Sequence, residues 1–141
     1  MAQLMEFIGN HLLLSTALVI VAVLLVGNEI TLKIRGFQSV IPAAAVALIN
    51  QKEAQVLDVR DASSFNKGHI ANAHNSPMDK LVQSVAGLKL DKAKPVLVAC
   101  ENGQNANRGA MLLKEAGFAS LYTLKGGIMS WRDDKLPLTR K

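Results

Sequence analysis

The sequence has a single cysteine, no internal repeat and no run of basic residues. With only Cys100, no disulfide can form within the chain, so nothing indicates an oxidising compartment. The 16 Lys and Arg residues outnumber the 11 Asp and Glu residues, which gives a net charge of +5. They are scattered, however, and no cluster of them has aromatic residues interleaved. The pattern therefore argues against a nucleic-acid partner.

Hydrophobic residues make up 50% of the chain, and the excess lies near the N-terminus, where residues 12–26 carry no charge. A helix that spans a membrane needs about 20 apolar residues. The apolar stretch reaches that length when it is extended back to Phe7 and Ile8, since Asn10 and His11 can lie at the membrane interface. We therefore predict an N-terminal membrane anchor over residues 1–27.

A cleaved signal peptide and a buried soluble helix are the alternatives. A signal peptide needs a positive N-terminal region and small residues before its cleavage site. Here the region holds Glu6 and no Lys or Arg, and Leu25 and Val26 precede Gly27. A helix of a soluble core should show a polar face at helical spacing, which the segment lacks. We favour an uncleaved anchor.

Flanking charge indicates the orientation of the anchor. Lys33 and Arg35 follow the apolar segment and no Lys or Arg precedes it, a bias that places the C-terminal side in the cytoplasm. We expect a single-pass protein of the inner or plasma membrane, with its N-terminus outside and its globular domain in the cytoplasm. Arg140 and Lys141 suit either a solvated surface or an anionic lipid surface.

The remainder divides into a linker over residues 28–37, where glycine and charge interrupt the apolar pattern, and a domain over residues 38–141. Predicted strands cover residues 56–59, 73–75, 95–99 and 121–124. Predicted helices cover residues 42–49, 78–88 and 105–116, with a last short helix around Trp131 and a polar loop after residue 59. Such alternation predicts an α/β domain with a parallel sheet between helices. Its ligands should bind beyond the carboxyl ends of the strands.

Cys100 follows the clearest predicted strand, and a short loop leads from it to the next helix. A loop that folds back around the sulfur would direct several backbone N–H groups at it, and the helix adds the positive end of its dipole. Both favour the thiolate, the nucleophilic form of cysteine. Gly103 permits the tight backbone of such a loop. Since a lone cysteine is otherwise a small buried apolar residue, these features alone leave a reactive and a structural Cys100 both open.

Four ordered motifs resemble those of the rhodanese family, over roughly residues 38–138. They are Asp58-Val59-Arg60 followed by Phe65; Gly68-His69-Ile70-Ala71-Asn72-Ala73 with Asn75 and Pro77; Cys100-Glu101-Asn102-Gly103; and Gly126-Gly127 with Trp131 and Leu136-Pro137. The resemblance implies a rhodanese-like parallel sheet flanked by helices. Together with the predicted N-terminal anchor, it makes a membrane-tethered member of that family our interpretation of the whole chain.

By the same resemblance, Cys100 is the catalytic residue of a sulfurtransferase or sulfur carrier. It takes a sulfane sulfur from a donor, thiosulfate or a protein persulfide, and passes it to a thiol acceptor, with no metal or organic cofactor. The resemblance makes residues 101–105 the substrate-binding loop: Glu101, Asn102, Gly103, Gln104 and Asn105. It gives Asp58 and Arg60 a supporting role around that loop, and it places His69 in a structural turn and Trp131 in the core.

The loop departs from the family pattern at its end. Asn105 stands where the family commonly has Arg, and Glu101 adds a negative charge, while Arg108 lies one helical turn later and is expected to compensate in part. A cation about 5 Å from an anion contributes on the order of 3 kcal/mol at an effective dielectric constant near 20. We therefore expect weak binding of thiosulfate, whereas a protein persulfide needs less anion binding.

A binding scaffold and a phosphatase are the alternatives to sulfur transfer. A catalytically weak rhodanese scaffold that binds a membrane-associated protein partner is the alternative, and Asn105 and Glu101 favour it. Phosphatases that share this fold need an Arg to close the cysteine loop around phosphate. Asn105, Ala106 and Asn107 occupy the closing positions, which argues against a phosphatase.

Overall fold

The structure is a computed structural model that describes residue 7, residues 9–83 and residues 85–140. Glu6, Ile8 and Lys141, on which parts of the sequence predictions fall, lie outside the described residues. The chain divides into two compact units, residues 1–34 and residues 35–141.

The N-terminal unit contains one long helix, α1 (Leu12–Arg35), of 24 residues with a mean hydropathy of 2.2 over its most apolar stretch. At 1.5 Å per residue the helix is about 36 Å long, more than the ~30 Å hydrocarbon core of a bilayer. None of that apolar stretch is buried within the protein. The length and composition of α1 allow it to cross a membrane. Signal sequences can have the same length and composition.

The residues predicted as a linker, 28–37, are helical for most of their length, because α1 continues through Gly27 and Asn28 to Arg35. A single glycine inside a helix costs only about 1 kcal/mol and does not by itself end the helix. The helix ends at Gly36, whose φ of +70° is the left-handed conformation that commonly follows a helix. The helix therefore continues through Gly27 and ends just before Gly36.

The second unit is an α/β domain with one five-stranded sheet. Its strands are β1 (Gln38–Val40), β2 (Gln55–Asp58), β3 (His74–Asn75), β4 (Val96–Ala99) and β5 (Leu121–Leu124). Its helices are α2 (Pro42–Lys52), α3 (Ala62–Lys67), α4 (Met78–Gln83), α5 (Gln104–Glu115) and α6 (Gly127–Asp133), with a 3₁₀ turn at Val85–Gly87. The strands are parallel in the order β1-β5-β4-β2-β3, which confirms the predicted fold class.

Two elements were missing from the sequence prediction. β1 has three residues and pairs with β5 at the edge of the sheet, so its apolar pattern is too short to recognise. α3 occupies the segment predicted as a polar loop. The side chain of Asp61 caps this helix by accepting the Ser64 N–H at 2.8 Å, and this aspartate was the available sequence signal.

Buried side chains form one layer on each face of the sheet. Val96 and Val98 face α4 and α5, whereas Leu97 and Ala99 face α2 and α6. Trp131 is buried in the second layer, as predicted, and its Nε1–H donates to the Pro137 carbonyl at 3.1 Å. Cys100 continues the alternation of β4 into the first layer. The chain therefore brings Cys100 to the carboxyl edge of the sheet, on the side of α4 and α5.

Candidate active site

A cavity of about 510 Å³ lies beyond the carboxyl ends of β2 and β4, with Cys100 in its lining. The lining residues are Val59, Arg60, Asp61, Ser64, Pro77, Met78, Asp79, Cys100, Glu101, Asn102, Gln104 and Asn105. Of the predicted substrate-binding loop, all residues but Gly103 thus face this cavity. The structure collects around the cysteine a set of residues that the sequence spreads over almost 50 positions.

The loop after β4 folds back on the cysteine sulfur. The Gly103 N–H donates a hydrogen bond to the Cys100 Sγ at 2.9 Å. Gly103 caps α5 with a φ of +93°, so the sulfur also lies at the positive end of this 12-residue helix. Of the several N–H groups expected around the sulfur, that of Gly103 is the one among the described residues that forms a hydrogen bond with it. Cys100 itself is 3% exposed.

The start of α6, at Gly126 and Gly127, packs against the same loop. The Ile128 N–H donates to the Cys100 carbonyl at 2.9 Å, and the Met129 N–H donates to the Glu101 carbonyl at 3.1 Å. Gly127 has a φ of +64°, and a Cβ at this position would overlap with both carbonyl oxygens. Gly127 therefore lets the start of α6 pack directly on the backbone of the cysteine loop. The double glycine before a helix was the signal for this contact.

Asp58 and Arg60 form a buried ion pair under the loop. Arg60 Nε lies 3.0 and 3.1 Å from the two carboxylate oxygens of Asp58, and Arg60 Nη2 donates to Asp58 at 2.8 Å and to the Gly68 carbonyl at 2.7 Å. Burial opposes the charge on Arg60, but the hydrogen bonds and charges of Asp58 and Glu101 outweigh burial and raise the pKa of the guanidinium. The guanidinium therefore stays charged, and its hydrogen bonds join the end of β2 to the turn at Gly68.

The carboxylate of Glu101 lies between two arginines. Arg60 Nη1 donates to it at 2.9 Å, and Arg132 Nη1 on α6 donates to it at 3.3 Å. The sequence indicates that Glu101 adds a negative charge to the loop, and in the structure these two arginines compensate for that charge. Arg132 was not predicted, because it lies 31 residues from Glu101 and no local pattern links the two.

Asn105 and Arg108 both lie on α5, but only Asn105 lines the cavity. The side chain of Arg108 is exposed to solvent and is not among the residues that line the cavity. In this structure Arg108 therefore does not take the place of the missing arginine in the lining of the cavity. Among the described lining residues, Arg60 is the one cation.

His69 lies away from the cysteine, in a buried turn. Its Nδ1 is 2.9 Å from the Phe65 carbonyl, and its ring stacks on that of Phe65 with centroids 3.8 Å apart. Its backbone exchanges two hydrogen bonds with Thr139, of 2.9 and 2.8 Å. These contacts give His69 a structural environment, and it does not line the Cys100 cavity.

Comparison with known proteins gives consistent matches. The Rhodanese-like domain family matches residues 42–134. The uncharacterized protein YibN of Escherichia coli is 36% identical over 144 residues, covering 99% of both chains. Thiosulfate sulfurtransferase GlpE of Vibrio cholerae is 35% identical over 95 residues, covering 67% of this chain and 88% of GlpE. The crystal structure of a rhodanese-related protein from Thermoplasma volcanium is 28% identical with a TM-score of 0.64, covering 74% of this chain and 99% of that one.

Proposed function

Since the chain belongs to the rhodanese family, we propose that it is a membrane-tethered sulfurtransferase or sulfur carrier that forms a persulfide on Cys100. The observation that carries this proposal is the position of the Cys100 sulfur. It lies in the wall of a cavity of about 510 Å³ and accepts the Gly103 N–H at the start of α5. A sulfur held in this way is a nucleophile with space beside it for a donor.

The proposed reaction has two displacement steps. In the first, the Cys100 thiolate attacks the sulfane sulfur of the donor, a sulfur–sulfur bond forms, and the donor's own sulfur–sulfur bond breaks. The electron pair leaves with sulfite when the donor is thiosulfate, or with a thiolate when the donor is a persulfide. In the second, an acceptor thiolate attacks the outer sulfur and releases Cys100 as a thiolate. The Gly103 N–H and the dipole of α5 stabilise the negative sulfur in both steps.

The charges around the cavity favour a persulfide donor over thiosulfate. Thiosulfate carries two negative charges, and Asn105 offers none of the positive charge that the family's arginine would supply. Arg60, the one cation among the described lining residues, already binds Asp58, Glu101 and the Gly68 carbonyl. A persulfide on a protein or a small thiol needs less anion binding, so we propose it as the physiological donor.

Asn105→Arg tests whether charge in the loop limits the use of thiosulfate. With thiosulfate as donor and cyanide as acceptor, we expect the variant to lower the KM for thiosulfate by about tenfold at low salt, because a cation ~5 Å from the anion contributes a few kcal/mol before solvent screening. The gain should shrink as salt rises. The matched control is Asn107→Arg, which adds the same charge on an exposed residue of α5 that does not line the cavity. Unchanged thiosulfate kinetics in Asn105→Arg at low salt would contradict this explanation.

A catalytically weak scaffold that binds a membrane-associated protein partner is the second candidate. The observation in its favour is that Glu101 occupies Arg60 Nη1, the one nitrogen of that guanidinium not bound to Asp58 or Gly68. This candidate predicts that neither thiosulfate nor a persulfide yields sulfur transfer at a measurable rate, in the wild type or in Asn105→Arg. The same assay therefore separates the two candidates.

We further propose that α1 anchors the protein, with the N-terminus outside and the rhodanese domain in the cytoplasm. The length of α1 and the position of Lys33 and Arg35 in its last turn support this orientation. Fusions at the C-terminus to reporters active on one side of the membrane measure it. We expect activity from the cytoplasmic reporter and recovery of the full-length protein with membranes. A stronger signal from the outside reporter would overturn the orientation, and a soluble full-length protein would overturn the anchor.

A further inference from the structure

The lining of the Cys100 cavity is acidic, although the chain as a whole is basic. Three carboxylates, of Asp61, Asp79 and Glu101, line the cavity against the one guanidinium of Arg60. Over the whole chain, Lys and Arg outnumber Asp and Glu by 16 to 11. The sign of the charge at this cavity is thus opposite to that of the protein.

The guanidinium of Arg60 does not offset these carboxylates for an incoming anion. Its Nε and Nη2 bind Asp58, its Nη2 also binds the Gly68 carbonyl, and its Nη1 binds Glu101. Asp58 and Glu101 thus balance Arg60, and Arg132 contributes a second cation to Glu101. The charges left without an ion pair in the lining are those of Asp61 and Asp79, since the described ion pairs include neither.

Asp61 is fixed as an anion by the start of α3. Its carboxylate accepts the Ser63 hydroxyl at 2.5 Å, the Ser64 N–H at 2.8 Å and the Ser64 hydroxyl at 2.8 Å. These hydrogen bonds, that of Ser63 first, hold the pKa of the Asp61 carboxyl well below its ordinary value. Asp79 is exposed in the first turn of α4. The two carboxylates therefore reach the cavity from two separate helices, in addition to the cysteine loop.

We propose that Asp61 and Asp79 select the reaction partner of Cys100 by charge, and that the partner's thiol or persulfide is flanked by cationic groups, as on a basic protein surface. The inference rests on the proposed role of Cys100 and names the class of partner. Complementary charge raises encounter rates by about 10- to 1,000-fold at low ionic strength. An anionic donor meets the opposite field, which adds to the effect of Asn105.

Charged methanethiosulfonate reagents test this selection on the full-length protein in a nonionic detergent. The Cys100 thiolate displaces methanesulfinate from either reagent, forming a disulfide, and the reagents differ in carrying an aminoethyl cation or a sulfonatoethyl anion. We compare their rate constants after dividing each by its rate with 2-mercaptoethanol. At low salt we expect the cationic reagent to be favoured by about tenfold, and we expect 1 M salt to remove most of that preference.

The variant Asp61→Asn/Asp79→Asn should reduce the preference for the cationic reagent at least threefold. Asparagine is as good a helix cap as aspartate, so α3 should be retained. The control is Glu115→Gln, which removes a negative charge from an exposed residue at the end of α5, outside the cavity, and should leave the preference unchanged.

Equal normalised rates for the two reagents, no reaction with either, or an unchanged preference in the Asp61→Asn/Asp79→Asn variant would overturn the charge selection. These rates measure access to the thiol and do not depend on persulfide formation. A protein that shows the charge preference but accepts no sulfur from any donor would retain the selection and contradict the proposed sulfur chemistry instead. A protein that transfers sulfur but shows no charge preference would support the proposed sulfur chemistry and contradict the charge selection.

Discussion

Cys100→Ser is expected to abolish sulfur transfer while changing the melting temperature little. Cys100 is the one thiol of the chain, so no other side chain can carry a persulfide. A serine hydroxyl is not ionised near neutral pH and forms no persulfide. It is nearly the size of the thiol and keeps an acceptor for the Gly103 N–H, which donates to the sulfur at 2.9 Å. We expect the change in stability to stay within about 1 kcal/mol, the usual range for a single hydrogen bond.

Two measurements on the purified variant decide between a reactive and a structural cysteine. Transfer is measured with the donor that serves the wild type best, and stability is measured by urea unfolding. Cys100→Ala is the comparison variant, because it removes the acceptor and leaves the Gly103 N–H without its partner. Residual transfer in Cys100→Ser would contradict the assignment. A loss of several kcal/mol in Cys100→Ser would favour a structural role for the buried thiol.

Gly127→Ala is expected to destabilise the domain by about 3–5 kcal/mol and to abolish transfer, an effect at the upper end of those seen for single substitutions. Gly127 has a φ of +64°, which costs a residue with a side chain about 1–2 kcal/mol. The added Cβ would also overlap with the carbonyl oxygens of Cys100 and Glu101. Relief of that overlap requires α6 to move away from the cysteine loop, which breaks the hydrogen bonds from Ile128 and Met129.

Gly117→Ala separates the two causes. Gly117 has a φ of +93°, but a Cβ there would meet only the end of the Lys92 side chain, at 3.8 Å. This variant therefore carries the backbone cost without the overlap, and we expect a loss of about 1–2 kcal/mol with transfer retained. Urea unfolding of both variants measures the difference. Similar losses for Gly117→Ala and Gly127→Ala would show that the packing of α6 on the cysteine loop contributes little.

The sheet and the place of Cys100 on it could be predicted because their signals are local. β4 is a continuous apolar stretch whose residues are all buried, and the glycine-containing loop follows it at once. β1 could not be predicted, since three residues at a sheet edge are defined by their pairing with β5 and not by a pattern of their own. The end of α1 was misplaced because Gly27 and Gly36 look alike in the sequence, and only Gly36 has the left-handed conformation.

The sequence predicted several residues around the cysteine but not the ion pairs between them. The sequence indicated Asp58, Arg60 and Glu101 as site residues. It did not show that Arg60 binds Glu101, since 41 residues separate them, or that Arg132 binds Glu101 from α6. It also gave Arg108 a role that its exposed position does not support. Such ion pairs depend on how distant elements pack, which composition and spacing do not report.

The most direct test of the account is the intact mass of the full-length protein through one cycle of sulfur transfer. The protein is incubated with polysulfide or thiosulfate and freed of excess donor, and its intact mass is measured by mass spectrometry. The mass is measured again after addition of dithiothreitol as the thiol acceptor. We predict a gain of one sulfur atom that is located on Cys100, is absent from Cys100→Ser and is lost on addition of the acceptor. No gain of sulfur from either donor, in a protein whose Cys100 is still alkylated by iodoacetamide, would contradict the proposed persulfide and favour the protein-binding scaffold.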